Sequence, residues 1–454
     1  MDDPVLRERL VAHALAGRYG GFIRGGTLAT VVGLVLFLVA LLSGRADRAW
    51  HAFHWNWLFF TSLAGGSVAL VAVHKLARAK WSGLLLRFAE AGAAFLPISL
   101  LGLVLIFTVG YDAIYGTLLE QLHGIQRAKA VWLSHGFMIG RLLVVLGVLF
   151  TMGWALVRAD LIPDLFLAKA KADPTRRALF ERWATGFDGS VEARDRLQSR
   201  IARYAAMYIV LYALGFTLVA FDMVMALQPH WFSNLLGGFF FMGAFLSAHT
   251  LLVLTMLYGE RQLGLAELIS PKQRHDLGKL CFGFTVFWTY LMWSQYLVIW
   301  YGNLPEETGF VFARLWGPWR PVGVWVFLGM FLIPFFGLLG VASKKARLTL
   351  GLFAGISLFT FWTERYLLVM PSITAEHGPA LGFPELAAVL LLGGLFLLSY
   401  GTFARIFPMV SPRLAEITLD REVHHVVETH EFEHDEGPKD YVSEEAIEHE
   451  KEGE

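Results

Sequence analysis

The sequence predicts an all-α integral membrane protein with about ten transmembrane helices, and three observations carry that reading. Hydrophobic residues make up 56% of the 454 residues and charged residues only 17%, against about 25% charged in soluble domains. The mean hydropathy is +0.53. The apolar residues come in continuous runs of roughly 20, one hydrocarbon thickness each for a bilayer core of about 30 Å, without the alternation of a membrane β-barrel. The chain divides into a short N-terminal segment, 1–25, a membrane domain, 26–407, and an acidic tail, 408–454.

Taken in order, the expected spans are 26–43, 56–74, 88–110, 131–157, 204–227, 235–258, 280–301, 322–342, 348–370 and 385–405, separated by polar residues or by Gly and Pro. The first begins late and lacks the small-residue cleavage pattern of a removable signal. Residues 1–25 read as an interfacial helix. The cytoplasmic loop 158–203, with apolar patches at 161–166 and 178–183 among many charges, reads as short amphipathic helices on the inner surface. Residues 413–454 hold fifteen Asp or Glu against four Lys or Arg, a balance of −11 that leaves the rest of this neutral chain at +11. His424, His425, His430, His434 and His449 are scattered through that tail, which reads as a solvated, flexible extension without the geometry of a metal site.

Charge then sets the orientation. With ten spans, the face that holds both termini carries 30 Lys or Arg and the opposite face six, while Arg141 and Arg365 lie inside spans. The positive-inside rule puts both termini in the cytoplasm. Trp50, Trp55, Trp57, Trp231, Trp300, Trp316 and Trp319 fall near the outer interface, where an indole with its polar N–H and apolar ring serves as an anchor.

An ionisable side chain at the centre of a membrane helix costs about 2.5–3.5 kcal/mol, so each one needs a reason. Those at membrane depth are Glu90, His135, Arg141, Asp222, His249, Glu364 and Arg365. Helix direction puts Glu90 near the cytoplasmic mouth, His249 near mid-membrane and the others in the outer half. Arg141 is the expected mate of Asp222 or Glu364. Glu364 and Arg365 point about 100° apart as helix neighbours, so each is expected to seek a partner on another helix. Ion pairs account for the arginines and carboxylates, but a mid-membrane imidazole adds a group able to exchange protons near neutral pH. The set is a candidate proton path. The pairs Gly136/Gly140 and Gly351/Gly355 have the spacing that lets membrane helices approach closely, for which packing is the default reading.

The single cysteine, Cys281, excludes an intramolecular disulfide, a Cys-ligated iron–sulfur cluster and a C-x-x-C-H haem attachment. His135 and His249 lie at different depths, which argues against a haem held between them. The sequence contains no P-loop, nucleophile elbow, zinc motif or dinucleotide fingerprint. No metal or haem bound by this chain is expected, and no nucleic acid partner.

Several blocks together resemble a known family. They are His275-Asp276-Leu277-Gly278-Lys279, Phe284-Thr285-Val286-Phe287-Trp288, Ser294-Gln295-Tyr296, and the run from Ile299 through Gly302-Asn303-Leu304 to Pro305-Glu306-Glu307-Thr308. Asp222 and the following Gln228-Pro229-His230-Trp231-Phe232-Ser233 fit the same group. The Pro-Glu-Glu-Thr block is the most specific part, and the acidic tail contributes nothing. The chain is similar to the ActF-type, polysulfide-reductase-like (NrfD-family) membrane subunits of alternative complex III. The resemblance implies helices 2–5 and 6–9 as two four-helix bundles in a bacterial cytoplasmic membrane. It further implies a respiratory or photosynthetic quinol oxidoreductase in which a sister ActC-type subunit holds menaquinol or ubiquinol. It also implies iron–sulfur and c-haem partner subunits that carry the electrons, and a proton-conducting role for this subunit. A quinol-binding, quinol-oxidising subunit in its own right is the alternative, and a secondary transporter a more distant one.

Overall fold

The computed structural model describes residues 11–411 except 13, 16–18, 80, 122–126, 263–264, 266–268 and 375–377. The tail from 412 onward, with its histidines, and the first ten residues lie outside the described residues. The described chain is helical throughout and contains no strand. Its long helices are α1 (Gly20–Leu42), α2 (Ala46–Leu76), α3 (Leu86–Thr108), α4 (His135–Ala168), α5 (Val191–Met223), α6 (Leu236–Gln262), α7 (Pro271–Gly302), α8 (Gly317–Gly337), α9 (Arg347–Ile373) and α10 (Phe383–Ile406). Eight of them, all but α7 and α9, are long and apolar enough to cross a membrane. The other two have the length, 32 and 27 residues, but Trp, Tyr, Ser and Gln dilute α7, and Thr with Glu364 and Arg365 dilutes α9. The exposed apolar side chains of α1, such as Leu28, Val31 and Val35, are suited to lipid contact.

Prolines shape two of the helices. In α3 a 3-10 stretch, Ala91–Phe95, precedes the segment Leu96–Thr108, whose first turn contains Pro97. In α8 a π-helical turn, Leu328–Leu332, comes just before Pro334; the wider turn relieves the clash of a proline ring with the carbonyl four residues back. α7 begins with a capping box, in which Ser270 and Gln273 hydrogen-bond each other's backbone, and ends at Asn303 in the left-handed region (φ 46°). The Pro-Glu-Glu-Thr block that follows is a helix start. Pro305 opens the helix Pro305–Leu315, and Glu306 and Glu307 occupy its first turn, where proline costs no hydrogen bond and acids face the positive end of the helix dipole.

α2 is the axis of the molecule, packed by α3, α5, α6, α9 and α10. α1 packs chiefly on α10, and the two run antiparallel: a Cβ on Gly26 would sit 2.6 Å from the backbone nitrogen of Leu398, one on Gly33 would collide with Leu391, and Gly401 lies against Ile23. Gly20 and Ile406 are therefore at the same end of the bundle, called here the terminal end, opposite the far end.

Three expectations change. Of the seven tryptophans placed at the interface, Trp50, Trp55, Trp57, Trp231 and Trp319 are buried inside the protein, while Trp300 and Trp316 are exposed; indoles counted as interface anchors are mostly core. Gly136, Gly140 and Gly355 face open space, and of the four glycines in the Gly-x-x-x-Gly pairs only Gly351 is crowded, 2.9 Å from the Leu257 side chain; backbones of two helices meet closely at α1–α10 instead. The first part of 158–203 continues α4 to Ala168 and the last part begins α5 at Val191, with the separate helix Pro174–Trp183 between. Asp173 caps that helix, and the hydrogen bond from the Arg176 backbone N–H holds its carboxyl below the usual range.

Candidate functional site

Toward the far end, α4 and α5 bring Arg141 against Asp222. The guanidinium donates from Nε to Oδ2 at 2.8 Å and from Nη2 to Oδ1 at 2.6 Å, the two-pronged geometry that makes arginine–carboxylate pairs strong. Nη1 donates to the Trp132 carbonyl at 2.5 Å, and the guanidinium lies over the Trp132 ring at 3.9 Å. His135 joins the same region: its Nε2 bonds the Phe107 carbonyl at 2.7 Å, and its ring stacks on Tyr111 at 3.8 Å. Tyr111 in turn stacks on Tyr115, whose hydroxyl donates to the Asp222 carbonyl at 3.0 Å.

Glu364 and Arg365 correct the reading of their spacing. They form one ion pair, Nη1 to Oε2 at 3.0 Å, although they are neighbours in the chain. The arginine is long enough to fold back across the angular gap. It lies over the rings of Phe240 and Phe361 at 3.7 and 4.3 Å, and Nη2 donates to the Phe240 carbonyl at 3.0 Å. An apolar aromatic wall offers no other ion, so the nearest one is taken.

His249 is buried on α6 with Nδ1 bonded to the Phe245 carbonyl at 2.8 Å, while Nε2 meets no partner among the described residues. Its ring centre lies 6.2 Å from that of His74, in the last turn of α2. The next residue, Lys75, pairs with Asp160 of α4 at 2.5 Å. Arg87 stands beside them, 3.9 Å from Asp160 and 2.6 Å from Asp164, and also pairs with Glu90. The Ser411 hydroxyl donates to Asp164 at 2.9 Å. Glu90 is thus one member of a buried cluster drawn from α2, α3 and α4.

The predicted residues therefore fall into separate groups. His135, Arg141 and Asp222 are together, and Glu364 is with Arg365. His249 is with His74, and Glu90 with Arg87. Among the described residues no hydrogen bond or ion pair joins the first group to the second or to His249. Sequence reasoning missed His74, Lys75, Arg87, Asp160 and Asp164. Asp160 and Asp164 are four apart on one helix face, a signal lost when the span was ended at 157. A second ionic junction, Glu260 with Arg274 (2.9 Å) and Arg347 (2.5 Å), ties α6, α7 and α9 together. Among the described residues no group of three His, Cys, Asp or Glu side chains is placed to hold a metal ion.

A cavity of about 430 Å³ lies among α6, α7, α8, α9 and the helix Pro305–Leu315. Its wall is almost wholly apolar and rich in aromatic rings, with Arg314, Glu364 and Gln295 as the polar exceptions. One of the segments that carry the family resemblance reaches it: Trp231 stacks on the lining residue Phe310 at 3.6 Å. No protein-family model matches this chain, and no curated protein matches it either.

Proposed function

We propose that this chain is a membrane subunit, without a redox centre of its own, of a quinol:electron-acceptor oxidoreductase of the alternative complex III type. It spans a bacterial cytoplasmic membrane ten times with both termini in the cytoplasm, carries protons, and holds partner subunits in place. The sister ActC-type, iron–sulfur and c-haem subunits bind quinol and carry the electrons. Two features support ten crossings. Gly20 and Ile406 at one end require an even number between them, and α9 reaches from the Glu260–Arg347 junction at the terminal end to Ser372, which accepts from Arg314 at the far end (2.7 Å). At about 1.5 Å per residue, its 27 residues extend roughly 40 Å, beyond a bilayer core of about 30 Å.

The observation that carries the proton role is the His249–His74 pair. Arginine–carboxylate pairs suffice as glue between helices. Two buried imidazoles 6.2 Å apart contribute no ion pair, yet an imidazole can take a proton on one ring nitrogen and release it from the other. They lead from the middle of α6 to the Lys75–Asp160 and Arg87–Glu90 cluster at the terminal end. His249→Phe and His74→Phe should each lower proton release per quinol more than they lower the yield of assembled complex. Reduced yield with normal proton release in the surviving complex would leave these residues as structural glue. Reporter fusions after Ser343 and after Gly378 should lie on opposite sides of the membrane.

A further inference from the structure

Among the described residues Arg314 is a buried cation without a counter-ion. It lies on the helix Pro305–Leu315, 5% exposed. Its Nη1 donates to the Phe310 carbonyl at 2.9 Å, and its Nη2 to the Leu368 carbonyl and the Ser372 hydroxyl at 2.6 and 2.7 Å. The Phe310 ring lies 3.2 Å from its guanidinium carbon. Among the described residues no carboxylate pairs with it. Among the described residues its Nε has no hydrogen-bonding partner, and neither has the buried indole Nε1 of Trp288. Both residues line the 430 Å³ cavity. Carbonyl dipoles and a ring face stabilise a cation in part, but charges this deep in a protein are ordinarily paired.

The rest of the cavity defines what would complete the pair. Glu364, the one carboxylate on the wall, is already neutralised by Arg365 at 3.0 Å, so the lining keeps one net positive charge. The remaining surface is hydrocarbon and aromatic. The volume falls within the roughly 300–1,000 Å³ of small-molecule sites. The cavity is a slot with a side entrance: Trp293, Leu315 and Val324 on its wall are 54%, 37% and 48% exposed. A ligand with an apolar chain would enter sideways from the lipid.

We infer that this slot binds an anionic amphiphile, its apolar chain among α6, α7, α8 and α9 and its carboxylate or phosphate head on Arg314. The inference stands apart from the proton role of the His249–His74 pair, and either can fail alone. Native mass spectrometry of the delipidated full-length protein tests it, with oleate, dioleoyl phosphatidylglycerol and dioleoyl phosphatidylcholine added in turn. Wild type should retain an anionic probe after detergent removal and release the zwitterionic phosphatidylcholine. Retention of oleate alone assigns a free fatty acid, and retention of phosphatidylglycerol assigns a lipid headgroup. Arg314→Gln should weaken retention about tenfold or more, the effect of losing a charge-assisted contact. Met292→Trp, which fills the slot without touching the cation, should abolish retention with an unchanged melting temperature, and it serves if the arginine variant does not fold. Equal retention of phosphatidylcholine, no retention of either anion, or retention unchanged in Met292→Trp overturns the proposal.

Discussion

α1 and α2 are consecutive helices with opposite relations to their surroundings. In its most apolar stretch only 22% of α1 is buried, whereas the corresponding figure for α2 is 94%. Yet α2 is the more polar of the two, with His51, His54, Asn56, Thr61, Ser62, Ser67 and His74 buried along it. In water the order would be reversed. In a bilayer the exposed helix must be hydrocarbon, and only a helix enclosed by protein can satisfy polar side chains. Asn56 accepts from the Trp362 indole at 2.9 Å, and Thr61 shares a hydrogen bond with Ser99 at 2.6 Å. Polarity within a span therefore points inward, to where chemistry is possible.

That contrast implies a ranking of mutational effects, each readable as thermal unfolding of the purified protein in detergent. The largest falls in the cluster beside α2. Arg87→Leu leaves Glu90 and Asp164 without their shared cation and should destabilise by about 3–5 kcal/mol; wild-type stability would mean the cluster is not buried as described. On α1, Gly33→Leu drives a side chain into the backbone of α10 and should cost about 1–3 kcal/mol. Within α2, Trp57→Phe removes the indole bond to the Ser99 carbonyl (2.8 Å) at about 1 kcal/mol. The smallest effect belongs to the lipid face: Val35→Ala, 54% exposed, should stay within about 0.5 kcal/mol. If Val35→Ala proved as damaging as Gly33→Leu, α1 would be enclosed on both faces and the contrast would collapse.

The same contrast explains what the sequence could reveal. A helix facing lipid announces itself, and α1 was readable to within six residues of its start. α2, expected from 56, begins at Ala46, because a window that seeks hydrocarbon stops at His51 and His54. Asp160 and Asp164 were lost to a supposed loop for the same reason. The Arg141–Asp222 partnership was legible as one of two, with Glu364 the other candidate, since few ions lie at that depth and opposite charges must find one another. The Glu364–Arg365 pair was not, because helical angles describe where Cβ atoms point and not how far a guanidinium can fold back. The juxtaposition of His74 with His249 depends on how α2 and α6 cross, which no periodicity within either helix encodes.

The antiparallel seam between α1 and α10 has a consequence for the order of events during synthesis. α1 ends at Leu42 and α10 begins at Phe383. At about 5–20 residues per second, the ribosome needs roughly twenty to seventy seconds to make what lies between. Through that interval Gly26 and Gly33 have no α10 to meet, and the glycine-lined stripe of α1 must be covered by lipid or by a membrane insertion factor. α1 is thus made long before its principal neighbour, and a chain truncated before α10 would leave that stripe open to foreign helices.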